Sequence, residues 1–384
     1  MACLFVLMVD KITHPVTSRR TKVLFLIPTL EGGGAERVFS MLLAHLDRTR
    51  FEPHLAVLQI AGAYRQDIPE DVVMHDLKVP RVRYALPSIV RLVWKVRPQT
   101  ILSTLGHLNL ALILCKPLLP RATKLVVREA AVVSAVLPEE TQHPKLWRWL
   151  YRRLYRRADT VVCLCDSMVK DMAEHFNVPR GKLVRIYNPV DVKRLQDLAD
   201  SGDNPYTGAG PHLVAAGRLT RQKGFDVLVA AMPKVLMHYS TAQLLLLGEG
   251  PLRGDLIEQI EKLSLTDAVH LLGFQRNPWP YLKYADLFVL SSRYEGLPNI
   301  LLEALALGKR VVATDCPGAI REIQNCGEGM VLVPPDDPVT LAEAINSFCS
   351  RLIPSGKITE TSKLALGKFD LQYAVGEYSR LLLS

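Results

Sequence analysis

The stretch "KVLFLIPTLEGGGAERVFSMLLAHL", residues 22–46, decides the fold. Val23 to Pro28 form an unbroken apolar run, as expected of a strand buried on both faces of a parallel sheet. Three glycines, 32 to 34, break the run, and Val38, Met41, Leu42 and Leu46 then recur with helical period. The stretch is therefore a strand, a glycine turn and a helix. The same alternation repeats down the chain. Strands are expected at 53–59, 99–105, 123–129, 159–165 and 182–188, with helical patterns between most of them. Residues 187–211, "YNPVDVKRLQDLADSGDNPYTGAGP", are rich in Pro, Gly, Asp and Asn and read as a hinge. The alternation then restarts, with strands at 212–217, 242–250, 268–274, 286–292 and 309–315 and helices at 225–239, 252–263 and 337–352. Such alternation builds parallel α/β sheets. Two runs separated by a hinge give two doubly wound, Rossmann-like domains that face each other across a cleft. The boundaries read as a tail over 1–20, a first domain over 21–190, a linker over 191–211 and a second domain over 212–365. A last helix, 366–384, is expected to pack back on the first domain.

Composition fits this division. A chain of 384 residues exceeds one ordinary core. With 49% hydrophobic and 22% charged residues it is a globular protein rather than a disordered one. Seven cysteines form no CxxC pair and no His-Cys metal spacing, which reads as reduced thiols in a cytoplasmic protein. Net charge is +9, but residues 1–200 hold 30 Lys+Arg against 19 Asp+Glu, whereas 201–384 hold 17 against 19. A basic first half suits an anionic surface. Nucleic acid is not expected, because no recognised module surrounds the basic residues. No run reaches the roughly 18 apolar residues of a membrane span. The opening "MACLFVLMVD" lacks the basic start of a signal peptide.

Four loops at strand ends could carry chemistry. In "PTLEGGGAERV", Gly32, Gly33 and Gly34 let backbone approach a ligand at a helix N-terminus, where phosphate is favoured. The dinucleotide fingerprint fails here, because Arg37 stands where glycine or alanine is required; a plain tight turn is the alternative. In "GRLTRQKGFD", Arg218, Lys223 and Gly224 set two cations at a helix start, suited to a diphosphate. The turns "LGEGPL" and "LGFQRNPWPYL" could present backbone to a planar base. In "SSRYEGLPNILLEALALG", Glu295 precedes a helix that starts near Pro298 and ends at Gly308, and Glu303 lies in its second turn. The N–H groups of residues 297 to 300 lie between the two acids, so Glu295 and Glu303 flank an anion site.

Taken in order, "GRLTRQKGFDVLV", "LGEGPLRGDL", "HLLGF", "YEGLPNILLEALALGKRVVATD" and "GEGMVLVPPDD" resemble the C-terminal domain of family 4 glycosyltransferases, retaining enzymes of the GT-B fold. Glu295 and Glu303 match that family's E-x7-E spacing. "EGGGAERV" and "YNPVD" extend the resemblance over roughly 22–384. The resemblance implies a nucleotide-sugar in the cleft, held mainly by the second domain. Arg218 and Lys223 would neutralise the diphosphate in place of a metal, so neither metal nor cofactor is expected. Gly296, Leu297, Pro298, Asn299 and Ile300 would add helix-start amides. Glu295 would hold the sugar and Glu303 the ribose hydroxyls. Gly273 and Phe274 would meet the base, and Gly33 and Gly34 would close over the phosphates. Catalysis would rest on Glu295, Arg218 and Lys223, in a front-face transfer that requires no protein nucleophile.

The acceptor side is less defined. Many family members end a middle strand of the first domain with a histidine; here that strand, "KLVVREAA", ends in Arg128 and Glu129, which resemble a subset of the family and would face the acceptor. His107 is the nearest histidine. In "HPKLWRWLYRRLYRRADT", Lys145, Arg148, Arg152 and Arg156 fall within about 80° on a helical wheel. Leu146, Trp147, Leu150, Tyr151 and Leu154 lie opposite. Such a face over 145–157 suits anionic lipid headgroups and a polyprenyl-linked acceptor, with the protein peripheral on the inner face of the cytoplasmic membrane. The alternative is a packed Rossmann helix with a solvated basic side. The expected function is retaining transfer from a UDP- or GDP-sugar to a glycan or lipid-linked saccharide in cell-surface polysaccharide, lipopolysaccharide or glycoconjugate synthesis. A nucleotide-sugar epimerase of the same fold and a non-catalytic binding subunit are the alternatives.

Overall fold

The computed structural model describes residues 20–325, 329–350 and 366–384. The expected tail thus lies almost wholly outside the described residues, as does the end of the second expected domain.

The first sheet has seven parallel strands: β1 (Thr21–Ile27), β2 (Phe51–Val57), β3 (Val73–Asp76), β4 (Thr100–Thr104), β5 (Lys124–Arg128), β6 (Thr160–Cys163) and β7 (Leu183–Arg185). Their order is β3-β2-β1-β4-β5-β6-β7. Helices α1 (Gly34–His45), α2 (Val82–Val96), α3 (Gly106–Cys115), α4 (Val133–Glu140), α5 (Pro144–Leu154) and α6 (Asp166–Glu174) cover it. The central strands are buried because both faces of the sheet are covered; Val23 to Ile27 and all of β4 are buried. β3 is short and partly exposed at the sheet edge, with none of the apolar patterning that marks the others.

The expected linker contains a helix, α7 (Val192–Asp200), whose N-cap Asp191 accepts a hydrogen bond from the Arg194 amide at 3.1 Å. The Pro, Gly and Asp content of this region marks the helix ends and hides the helix itself.

The second sheet has six parallel strands: β8 (His212–Ala216), β9 (Gln243–Leu247), β10 (Val269–Gly273), β11 (Leu287–Leu290), β12 (Val311–Thr314) and β13 (Met330–Val333). Their order is β10-β9-β8-β11-β12-β13. It carries α8 (Phe225–Leu236), α9 (Arg253–Lys262), α10 (Trp279–Tyr284), α11 (Asn299–Ala306), α12 (Ile320–Gln324) and α13 (Pro338–Ser350). The final helix, α14 (Leu371–Leu383), lies on the first domain: Leu371, Val375, Tyr378 and Leu382 join the core of β1 and α1, and Thr100 Oγ1 donates to the Leu382 carbonyl at 3.2 Å. Among the described residues no helix is long and apolar enough to cross a membrane.

In each sheet the strand order reverses once, between β1 and β4 and between β8 and β11. Doubly wound sheets bind ligands outside the carboxyl ends of their strands at that reversal. The glycine loop leaves β1, His107 follows β4, Arg218 follows β8, and Ser291 to Glu295 follow β11. Topology therefore sets all four segments at the two reversals.

Candidate active site

The two domains meet directly. Ala131 and Gly296 form an antiparallel bridge, and a Cβ on Gly296 would stand 2.1 Å from the Ala130 carbonyl oxygen. Only a residue without a side chain lets these backbones touch. Asn299 Nδ2 donates to the Gly34 carbonyl at 3.1 Å. Arg221 Nε donates to Glu139 at 2.7 Å and the Tyr294 hydroxyl to Glu140 at 2.9 Å, both across the cleft. Behind them Glu322 of α12 accepts the Asp166 amide at the N-terminus of α6 at 2.8 Å and the Tyr187 hydroxyl at 3.0 Å. The cleft is closed.

Glu295 lies inside it, 4% exposed. Its Oε1 accepts Lys223 Nζ at 2.6 Å and the Ser292 hydroxyl at 2.6 Å. No described residue donates to Oε2, so one oxygen is fixed and the other is left for a ligand. Lys223 reaches it from a one-turn helix, Arg221–Lys223, that ends at Gly224. Gly224 has φ +59°, and a Cβ there would stand 2.1 Å from the Ser291 carbonyl oxygen, so no other residue fits. Lys223 is thus paired first with a carboxylate. Arg218 stands exposed after β8, and its charged neighbour is Glu36 of the first domain. Glu36 is 4% exposed and lies over Gly33; burial pushes its carboxyl up, against its own backbone hydrogen bond and the pull of Arg218.

The helix after Glu295 begins at Asn299, with Pro298 as N-cap rather than in the first turn, and Gly308 closes it at φ +72°. The amides of Asn299 and Ile300 open it toward the cleft. Leu297 is buried, and its carbonyl accepts Asn188 Nδ2 at 3.2 Å. Gly273 ends β10 at φ +74°, and the half-exposed Phe274 packs its ring against Gly32. The turn after β10 and the glycine loop therefore touch.

Glu303 is held between the domains. It is 4% exposed, and both oxygens are occupied. Trp279 Nε1 donates to Oε2 at 2.9 Å, and Oε1 pairs with the guanidinium of Arg37 in the opposite domain. Sequence reasoning used Arg37 only to reject a dinucleotide fingerprint. The residue following the glycine loop on the first turn of a helix was the available signal.

Of the residues read toward the acceptor, Arg128 and Glu129 are buried. Arg128 is 1% exposed and faces no open surface; it donates to Thr104 Oγ1 at 3.0 Å and Asn188 Oδ1 at 2.5 Å. Asn188 in turn donates to Asn299 Oδ1 at 2.7 Å, so Arg128 braces the hinge against α11. Glu129 is 4% exposed, and its Oε1 accepts Asn109 Nδ2 at 2.9 Å and the Tyr155 hydroxyl. Burial pushes its carboxyl up to about 7, against those two hydrogen bonds and Arg128. His107 is exposed in the first turn of α3, with Glu140 as its charged neighbour. Leu105 before it adopts φ +76°, a strained conformation for leucine. On α5, Tyr151 and Leu154 of the apolar side are buried but Leu146 is 52% exposed, and Trp149, on the side of the cations, is also 52% exposed. Among the described residues no three His, Cys, Asp or Glu side chains converge as metal ligands.

Two family models match: "Glycosyltransferase Family 4" over residues 32–194 and "Glycosyl transferases group 1" over 210–351. A Campylobacter jejuni N-acetylgalactosamine-N,N'-diacetylbacillosaminyl-diphospho-undecaprenol 4-alpha-N-acetylgalactosaminyltransferase is 26% identical over 84% of this chain and 88% of its own. An uncharacterized glycosyltransferase of Methanocaldococcus jannaschii is 35% identical, over 48% of this chain and about half (47%) of its own length. In structure, Anabaena HepE in complex with UDP-glucose superposes with a TM-score of 0.78 at 19% identity, over 94% of this chain and 99% of that one, which shows a shared fold. The two family models lie on either side of residues 195–209 and between them take in every strand but β1, and the chain belongs to the family 4 (group 1) glycosyltransferases, with the two-domain GT-B architecture.

Proposed function

We propose that this glycosyltransferase moves a sugar from a UDP- or GDP-sugar to a glycan or polyprenyl-linked saccharide, with retention of configuration and without a metal, in the synthesis of a cell-surface polysaccharide or glycoconjugate. The observation that carries the reading is Glu295. A buried carboxylate is fixed through one oxygen by Lys223 and Ser292, four residues before the helix α11 begins. The amides that open α11, Lys223 and Arg218 would meet a leaving diphosphate as it develops charge, and preorganised donors of this kind stabilise a transition state most. The free Glu295 oxygen is set to accept a sugar hydroxyl. Relatives support the donor and acceptor classes: the Anabaena neighbour was solved with UDP-glucose, and the Campylobacter relative is named for a diphospho-undecaprenol acceptor. On the acceptor side, α5 presents Lys145, Arg148 and Arg153 beside the exposed Leu146 and Trp149, which supports docking on an anionic membrane surface.

The test is turnover of a panel of UDP-, GDP- and ADP-sugars with diphospho-undecaprenol-linked saccharides, in chelator, with the anomeric configuration of the product read by NMR. An α-linked product from an α-donor, lowered about 100-fold or more by Glu295→Gln, is expected. An inverted product, a chelator-sensitive rate, or donor isomerised without acceptor would each overturn a part of the reading.

A further inference from the structure

Arg37 occupies the carboxylate that a nucleotide ribose requires. Glu303 cannot be left alone: a buried carboxylate without a partner is strongly destabilised. In the structure its two partners are Trp279, from its own domain, and Arg37, from the other. The Arg37 guanidinium also lies over the Trp279 ring, 5.8 Å from its centroid, and covers that side of the site. Beside this pair is a cavity of about 330 Å³ between the domains, lined by Arg37, Tyr64, Arg194, Arg276, Trp279 and Glu303. A hydroxyl that enters the cavity reaches Oε1 of Glu303 only as Arg37 withdraws. A second partner for Arg37 stands in the same cavity wall: the Tyr64 hydroxyl, which acts on the Arg37 charge. Close by in the same wall, Asp67 pairs with Arg194 at 3.3 Å and Arg276 at 3.8 Å.

We propose that Arg37 is a stand-in for the ribose: it neutralises Glu303 in the donor-free protein and yields that carboxylate to the vicinal hydroxyls when a nucleoside diphosphate enters the cavity. This rests on the nucleotide-sugar reading of the site. Arg37 then sets how strongly the protein discriminates for ribose. A nucleotide without the hydroxyls leaves Glu303 on Arg37 and loses little. With Arg37 removed, the same nucleotide would leave Glu303 half unpaired, so the hydroxyls would matter more.

The experiment is a double perturbation by calorimetry. Whichever of UDP and GDP binds is compared with its 2',3'-dideoxy form, on the wild type, Arg37→Met and Glu303→Ala. The ratio of dideoxy to ribo dissociation constants is expected to be about tenfold or more larger in Arg37→Met than in the wild type. Binding of the ribonucleotide itself to Arg37→Met shows that this variant is folded. Equal ratios in the two proteins would overturn the stand-in role, and a smaller ratio with both nucleotides weakened would make Arg37 a direct ligand instead. An unchanged ratio in Glu303→Ala would remove the ribose from Glu303, and failure of every nucleotide to bind the wild type would remove the nucleotide reading itself.

Discussion

Glu129→Gln should make the stability of this protein less dependent on pH, in a direction that burial fixes. Glu129 is 4% exposed, and burial raises its carboxyl from 4.5 to about 7. Between those two values the folded chain holds a proton that the unfolded chain releases. Stability from this group is therefore fully present below about pH 4.5 and is lost as pH rises through about 7. A gap of this size corresponds to roughly 3 kcal/mol, at 1.36 kcal/mol for each pH unit. Glutamine keeps an oxygen to accept Asn109 and Tyr155 and cannot ionise. Urea unfolding of both proteins at pH 5, 6, 7 and 8 should thus show Glu129→Gln gaining on the wild type as pH rises, by up to about 3 kcal/mol across the series. A difference between the two proteins that stays flat from pH 5 to 8 would mean that Glu129 is ionised throughout, and the account of its buried network would fail.

Two further results follow from the geometry. Gly296→Ala places a methyl 2.1 Å from the Ala130 carbonyl oxygen, so the domains must part. The expected outcome is a larger radius of gyration by small-angle scattering, a loss of about 1–3 kcal/mol in stability, and a fall in transfer; an unchanged radius and rate would mean that the closed contact is dispensable. Reversing Arg153 and Arg156 to Glu, with Trp149→Ser, removes cations and an exposed aromatic from the α5 face while leaving the buried Tyr151 and Tyr155 in place. The variant should be lost from anionic phosphatidylglycerol vesicles on flotation at low salt and remain folded by circular dichroism. Equal flotation would reduce this helix to ordinary surface.

Most of the fold was legible in the sequence because parallel strands buried on both faces leave unbroken apolar runs, as at Val23 to Ile27 and Leu287 to Leu290. The edge strand β3 was not, since Val73 is 46% exposed and the segment Val-Met-His-Asp has no apolar run. Helix α7 was hidden by the turn residues that flank it. The site divides the same way. Residues fixed by loop chemistry at strand ends, such as Lys223, Gly224 and Glu295, were found by type and spacing. Residues whose role depends on the opposite domain were missed or misdirected. Arg37 on Glu303 and Asn299 on Gly34 cross between the domains and Arg128 on Asn188 joins a strand to the hinge, partnerships across 60 to 266 residues of chain that no local pattern encodes. Arg128 was read toward the acceptor because Arg128-Glu129 resembles a subset of the family; in the structure it lies buried against the hinge residue Asn188.

The account's central claim is that Lys223 and Glu295 belong to a diphosphate-sugar site in the closed cleft. Calorimetric titration of the wild type and Lys223→Met with the same nucleotide-sugar tests it most directly. The wild type should bind at a single site, and Lys223→Met about tenfold or more weaker, because a cation that both orients Glu295 and faces the diphosphate is gone. Equal affinity in the two proteins would contradict the claim.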